Sequence, residues 1–234
     1  MSGIQMFPKL NCTALYRLDS VIGDFSHVEH FLTREEICEI KSGWVTIVGE
    51  DTGGHGINIF LRMFKHYPEF RSQYFGFLAT LREDELRKSP RLNSHASGVL
   101  LGVTQIINGL DNQLIVEDVA SKFAVSHFKR GVRAKNVRVL TNIIVEYLQE
   151  TGGLSDRASG AFKKMFDKFL EIIEKKQEDL EDQERKERRT KQMKKNIKLM
   201  AIALIVLGVE KSVEFLTALL NGTNGKAGQN CVCG

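Results

Sequence analysis

The chain has 234 residues, of which 42% are hydrophobic, and its formal net charge is +4. This length allows one domain with extensions or two small domains, and the hydrophobic fraction is sufficient for a packed core. The four cysteines do not form a disulfide framework at this length, and MSGIQMFPKL is not a secretory signal, so we expect a reducing, cytoplasmic setting.

The first element predicted along the chain is a helix that begins near residue 33. Residues 1–31 before it have weak hydrophobic periodicity and are predicted to form a loose arm. Thr33 followed by Glu36 is the pattern of a capping box, so the helix should start there and run to about Gly49. Its inward positions recur at helical spacing: Ile37, Ile40, Trp44 and Ile47 or Val48.

A second helix is predicted after a chain break at the glycine pair Gly53 and Gly54. It should end near Tyr67, because Pro68 disfavours helical backbone in the residue before it. Residues 70–82 are aromatic and are predicted to be irregular.

Four more helices are predicted from hydrophobic periodicity. Residues 134–150 are rich in β-branched side chains and would suit a strand if taken alone, but their length without an internal turn favours a buried helix. No segment of 20–50 residues repeats, which excludes a solenoid. We therefore predict an all-α fold. The four helices begin at residue 84 or 90, at 116, at 134 and near 155.

Two histidines lie in apolar stripes on consecutive helices, His95 in RLNSHASGVLLG and His127 in VASKFAVSHFKRGV. A single helical histidine is more often an ordinary hydrogen-bonded residue than a ligand. Here an aromatic segment precedes the first helix, and basic residues follow the second histidine. Together these features indicate a slot for a flat apolar disc with an acidic edge, a description that haem fits.

From about Thr33 to Lys176 the chain resembles the globin family. Trp44 lies in the first helix, and FLRMFKHYPEF ends the second helix and opens a short third one, as in globins. RLNSHASGVL resembles the distal helix, and FAVSHFKRG resembles the proximal helix. The stretch LREDELRKSPRLNSHA resembles neuroglobin-like and globin X-like members more closely than it resembles vertebrate oxygen carriers. The resemblance implies a globin fold of six to eight helices and haem b, iron protoporphyrin IX, as the cofactor.

The resemblance also implies roles for single residues. His127 would be the proximal iron ligand, and His95 would be the distal residue, either as a hydrogen-bond donor to a gas or as a sixth ligand. Globins place a phenylalanine six residues after the proline of the third helix. That position is Tyr74 here, and we favour the neighbouring Phe75 as the ring that stacks on the porphyrin, with Tyr74 as the alternative. The other implied haem contacts are Phe60, Val99, Phe123, Lys129 and Arg130.

Three functions are compatible with these patterns. The leading hypothesis is a globin that reversibly binds O₂, and also CO or NO, for intracellular oxygen storage, transport or sensing. Under this hypothesis the protein is a binding protein rather than an enzyme. The second is a membrane-associated haem redox enzyme that acts on nitrite, NO or superoxide. The third is a helical interaction protein without haem, in which both histidines are incidental. A nucleic-acid partner is not expected.

The carboxy-terminal part, residues 178–234, has a charge pattern of its own and is interpreted as an extension. The whole chain is then divided into an arm at 1–31, a globin domain at 32–177 and this extension. Residues 178–184 are acidic, and residues 185–198 contain eight basic residues and one glutamate. The next eleven residues, 199–209, are apolar but too few to span a bilayer, which needs about 20. A basic run beside an apolar segment predicts contact with a membrane surface, or self-association, through residues 185–220. Cys231 and Cys233 would be candidates for a lipid.

Overall fold

The computed structural model describes residues 31–49, 51–152 and 154–206. Within these ranges the chain forms eight α-helices and one short 3-10 helix, and it contains no β-strand, which confirms the predicted all-α fold class. The predicted arm and the two terminal cysteines lie outside the described residues. The helices are α1 (Arg34–Val48), α2 (Thr52–His66), α3 (Pro68–Tyr74), α4 (Glu83–Lys88), α5 (Pro90–Asn108), α6 (Gln113–Phe128), α7 (Ala134–Gly152) and α8 (Asp156–Val206), with the 3-10 helix at Gly76–Leu78.

Helix α1 begins at the predicted capping box. The backbone N–H of Glu36 donates to Oγ1 of Thr33 over 3.2 Å, and the backbone N–H of Thr33 donates to Oε2 of Glu36 over 2.9 Å. Trp44 is 2% exposed, and its indole N–H donates to Oγ1 of Thr104 on α5 over 3.0 Å. The buried tryptophan therefore has its polar atom satisfied, and it holds α1 against α5.

The predicted break at Gly53 and Gly54 is wrong, because both glycines lie in the first turn of α2. Asp51 caps this helix, and its carboxylate accepts a hydrogen bond from the backbone N–H of Gly54 at 2.8 Å. First-turn N–H groups have no partner within the helix, so a capping carboxylate offsets the weak helix propensity of glycine. The helix ends at His66, two residues before Pro68, as predicted.

The aromatic segment after Pro68 is more ordered than predicted. It contains α3 and the 3-10 helix, and the guanidinium of Arg71 donates to the carbonyl oxygens of Leu78 and Leu81. The next helix was predicted to start at residue 84 or at residue 90, and the structure has a helix at each place, α4 and α5. They are separated at Ser89, which caps α5. Helix α6 begins three residues earlier than predicted, with Asn112 as its cap.

Close packing between α2 and α5 fixes the position of His95, which lies on α5, relative to the side chains of α2. At Gly56 a Cβ atom would lie 3.1 Å from Ala96, so the two backbones approach too closely for a larger residue. Phe60, one turn after Gly56, is 1% exposed, and Ala96 is fully buried next to His95. The α2–α5 crossing therefore places Phe60 beside His95.

The described residues fall into two compact units, one ending at Gln177 and the other beginning at Glu178. At the end of the first unit Gln177 is 4% exposed. Its side chain accepts from the backbone N–H of Ala134 at 3.1 Å and donates to the carbonyl of Val132 at 3.0 Å, which fixes the α6–α7 connection. None of the helices in the described residues has the length and hydrophobicity needed to cross a membrane.

Cys38 on α1 forms a disulfide bond, and its partner lies outside the described residues. The expectation that the cysteines form no disulfide framework concerns all four of them together, and this one bond does not test it. Sequence spacing cannot reveal such a pair, because a disulfide depends on the spatial approach of two cysteines that are distant in sequence.

Candidate functional site

His127 lies in the last turn of α6, and its ring orientation is set by the helix backbone. Its Nδ1 atom is 3.0 Å from the carbonyl oxygen of Phe123 and 2.9 Å from Oγ of Ser126. A carbonyl can only accept a hydrogen bond, so Nδ1 carries the proton and the lone pair is on Nε2. No hydrogen-bond partner for Nε2 is found among the described residues, and this atom is available to bind a metal.

One face of the His127 ring is covered by Phe123. The two rings are stacked, with their centroids 3.7 Å apart and their planes at 14°. Phe123 in turn contacts Phe169 of α8 edge to face, at 5.5 Å between centroids. The imidazole is therefore held by a backbone acceptor along its edge and by an aromatic ring against its face, which restricts its rotation.

His95 lies on α5 against two aromatic rings. Its ring centroid is 5.3 Å from that of Phe60 and 5.2 Å from that of Phe75, both in edge-to-face geometry. Among the described residues neither ring nitrogen of His95 has a hydrogen-bond partner. The residue is nevertheless exposed to solvent. The imidazole is therefore accessible beside two aromatic side chains, and both of its nitrogens remain available to a ligand.

Burial and nearby charges lower the pKa values of both histidines. Burial lowers the pKa of His95 below its ordinary value of 6.5, and the positive charges of His127 and Arg130 lower it further. Although solvent reaches His95, the surrounding protein atoms hydrate its charged form poorly, which explains the burial effect. Burial also lowers the pKa of His127; its hydrogen bond to Phe123 opposes this effect, and Arg130 adds to it. Both imidazoles are therefore neutral near pH 7, which is the form that binds metals.

Phe75 and Tyr74, the two alternatives for the stacking ring, contact different aromatic residues. Phe75 contacts Phe64 at 5.2 Å and Phe60 at 5.7 Å, in addition to His95. Tyr74 packs on Phe70, at 5.7 Å between ring centroids. The structure thus brings Phe75, and not Tyr74, into the aromatic group around His95.

The remaining predicted site residues differ in how close they lie to the two histidines. Val99, one turn after His95, is half-buried and packs against the same apolar cluster as Phe60. Arg130 is exposed at the end of α6, where its guanidinium donates to the carbonyl of Ser126 at 2.6 Å, and its charge reaches both histidines. Lys129 is exposed at the carboxy-terminal cap of α6. Its backbone N–H donates to the carbonyl oxygen of His127, and no contact of its side chain with either histidine is found among the described residues.

Two contacts at the site were not predicted from the sequence. Ser126 touches Nδ1 of His127, and Arg91 lies over the ring of Phe77 at 5.3 Å. A hydroxyl residue directly before a histidine in a helix is too common a pattern to predict the first contact. The second depends on how the aromatic segment folds back onto α5, which periodicity does not reveal.

The site as a whole fits a flat apolar cofactor with a metal at its centre. Two imidazoles with available nitrogens lie close enough for the protonated form of His127 to lower the pKa of His95, and aromatic rings contact both of them. The guanidinium of Arg130 acts on both histidines, and it would complement an anionic group. The rings that contact His95 are those of Phe60 and Phe75, and apolar surroundings of this kind exclude water rather than bind a polar ligand.

Known proteins resemble this chain in sequence and in fold. The family model named Globin matches residues 57–173. The chain is similar to the "Globin" of Nerita albicilla, with 28% identity over 151 residues, covering 64% of this chain and 95% of that protein. It is also similar to "Hemoglobin-3" of Phacoides pectinatus, with 22% identity over 148 residues, covering 63% and 94%. The structure of hemoglobin from the botfly Gasterophilus intestinalis superimposes with a TM-score of 0.58 at 24% sequence identity, covering 62% of this chain and 99% of that one.

Proposed function

Because this chain belongs to the globin family, we propose that it binds haem b through His127 and reversibly binds O₂, CO or NO inside the cell. Membership of the family implies a haem cofactor in general. The observation that carries the finer proposal is the pair of imidazoles with available nitrogens, His95 and His127, each with an aromatic ring against it.

His127 would hold the iron through Nε2. The carbonyl of Phe123 fixes the tautomer that presents this lone pair, and it also increases the basicity of the imidazole by accepting from Nδ1. Ferrous haem, when bound, supplies an open coordination position for a diatomic gas. Stacking on Phe123 keeps the imidazole plane from rotating, which favours retention of the cofactor.

His95 would decide how tightly the gas is held. It can donate a hydrogen bond to the gas, which contributes about 1–2 kcal/mol, or about tenfold in affinity. It can instead occupy the gas position itself, and the apparent affinity then falls because His95 must first be displaced. Its neighbours Phe60 and Phe75 cannot accept a conventional hydrogen bond, so its N–H remains available for either role.

The aromatic walls near His95 have a protective role in this proposal. Phe60 and Phe64 are buried, and Phe75 contacts both of them. Water that enters a haem pocket promotes oxidation of ferrous iron, so a continuous apolar wall slows this loss. Val99, which packs against the same cluster, would extend the wall beyond His95.

A redox activity toward nitrite, NO or superoxide is a second candidate, and Arg130 is the observation that favours it. Its positive charge acts on both histidines, so it would also attract a small anion to the same site. Steady-state consumption of nitrite or superoxide by the ferrous protein, absent in an Arg130→Gln variant, would support this function over simple gas binding.

The proposal is tested with the full-length protein loaded with haem. A Soret band, a ferrous spectrum that changes on adding O₂ or CO, and recovery of the starting spectrum on degassing are expected. The ferrous spectrum without gas distinguishes the two roles of His95, because a six-coordinate form means that His95 binds the iron. If the protein has no Soret band after haem titration, the chain is a helical protein without haem.

A further inference from the structure

Helix α8 continues into the second unit as a helix with two adjacent stripes of different chemistry. Positions three, four and seven apart share a face of an α-helix. An apolar stripe is formed at spacings of four, three and four residues by Met193, Ile197, Met200 and Leu204, and we call it the α8 apolar stripe. A lysine stripe runs beside it at similar spacing, and we call it the α8 basic stripe: Lys191, Lys194, Lys195 and Lys198.

We propose that residues 185–206 of α8 dock on the surface of an anionic lipid bilayer, with the apolar residues inserted and the lysines against the lipid phosphates. Met193 and Met200 of the stripe are exposed, by 56% and 58%, whereas Ile197 and Leu204 are half-buried. The neighbouring side chains are also exposed, by 56% to 79%: Leu199, Ile202, Ile205 and Val206. From Leu199 to Val206 every residue is apolar, so this part is apolar on all sides. A contiguous exposed surface of this kind indicates a binding site.

The charge next to the apolar residues complements an anionic membrane. Residues 185–198 contain eight basic residues and one glutamate. Arg185 and Arg188 are paired with acidic residues of the preceding turn. No ion pair is formed within the described part of the chain by Lys186, Arg189, Lys191, Lys195 and Lys198. Basic side chains without acidic partners beside apolar ones are typical of helices at the membrane interface.

The length of the apolar part requires docking on the bilayer rather than crossing it. The whole apolar run of eleven residues, 199–209, corresponds to a helical rise of about 16 Å, whereas the hydrocarbon core is about 30 Å thick. Insertion to a depth of about 5–10 Å is the expected mode for such a segment.

A second copy of this chain fits the same helix less well than a membrane does. Helices pair in water through apolar residues that recur about every 3.5 positions. Between Leu180 and Met193, residues 181–192 contain no apolar side chain, so an apolar seam cannot continue along the second unit. The short apolar end that remains is surrounded by like charges, which would repel those of a parallel partner.

The test is flotation of the full-length protein with vesicles of phosphatidylcholine alone or of phosphatidylcholine mixed with phosphatidylserine. The wild type should float with the mixed vesicles only, and raised salt should release it, because screening weakens the contact between lysines and phosphates. Lys191→Gln, Lys195→Gln and Lys198→Gln combined should lower the partition coefficient, by about a hundredfold if all three reach the surface. Ile202→Asp with Ile205→Asp should abolish flotation at every salt concentration.

Matched controls come from exposed residues of the first unit. Lys65→Gln, Lys88→Gln and Lys135→Gln combined remove the same charge, and Leu114→Asp changes a leucine that is 72% exposed; both variants should float like the wild type. Circular dichroism should show unchanged helix content in every variant. Equal flotation of wild type and α8 variants, or flotation with phosphatidylcholine alone, would overturn the proposal. So would a dimer in sedimentation velocity that dissociates in the Ile202 and Ile205 variant without any vesicle binding.

Discussion

The carbonyl oxygen of Phe123 lies 3.0 Å from Nδ1 of His127, one turn later on the same helix. This contact decides which nitrogen of the imidazole carries the proton, and it leaves Nε2 as the basic atom. The same phenylalanine covers the face of the imidazole. One residue therefore sets the tautomer through its backbone and the ring plane through its side chain.

Ser126 makes a second contact to Nδ1 of His127, at 2.9 Å, and we predict that it helps to hold the ring. Ser126→Ala should bind haem but release it faster, by about tenfold, because residues behind a metal ligand tune its orientation and basicity. Transfer of haem to an apoglobin acceptor measures this rate. Ser72→Ala, an exposed serine on α3, is the matched control, and equal release rates in the two variants would contradict the role of Ser126.

The position of His95 predicts an effect on gas binding without loss of the cofactor. His95→Leu should keep haem bound, since His127 would remain the ligand, but oxidation of the ferrous protein should become faster. If His95 competes with the gas, CO association should also become faster and lose its slow phase. Flash photolysis and spectral monitoring measure both rates. His66→Leu, at an exposed position of α2, serves as control, and identical rates in the two variants would place His95 outside the functional site.

The two aromatic alternatives predict opposite mutant effects. Phe75 contacts Phe60, Phe64 and His95, so Phe75→Ala should lower haem affinity by about tenfold or more. Tyr74 packs on Phe70 and makes no ring contact with that group among the described residues, so Tyr74→Ala should leave the affinity nearly unchanged. Haem titration of the two variants decides between them, and a larger loss at Tyr74 would reverse the assignment.

The lowered pKa values of His95 and His127 predict acid sensitivity of the haem-free protein. Because both pKa values are below 6.5 in the folded state, unfolding takes up protons in acid. The free energy of unfolding should therefore be highest above about pH 7 and should fall toward about pH 5 as the unfolded histidines become protonated. Urea denaturation across this range measures the change. His95→Gln combined with His127→Gln should reduce the slope, and an unchanged slope would show that other groups cause the acid sensitivity.

Much of the helical framework could be predicted from local sequence. Thr33, Glu36 and Pro68 define helix ends through hydrogen bonding and backbone sterics that involve only neighbouring residues. The placement of Gly53 and Gly54 was wrong because the Asp51 cap outweighs their propensity. Where two local rules conflict in this way, the stronger interaction determines the structure, and the sequence does not show which of the two interactions is stronger.

The site was predictable only in part. His95 and His127 could be paired from the apolar stripes that carry them, because consecutive helices in a small fold pack together. The choice of Phe75 over Tyr74 as the neighbour of His95 depends on the 3-10 helix that follows them, which periodicity does not predict. The disulfide of Cys38 depends on a contact that is distant in sequence.

The most direct test of the central claim, that His127 holds the haem through Nε2, is haem titration of a His127→Gly variant with and without added imidazole. The variant should bind haem weakly on its own, and imidazole in solution should restore the wild-type Soret band by replacing the missing side chain. The same substitution at the exposed His66 should need no imidazole. A His127→Gly variant that keeps the wild-type spectrum without imidazole would contradict the claim.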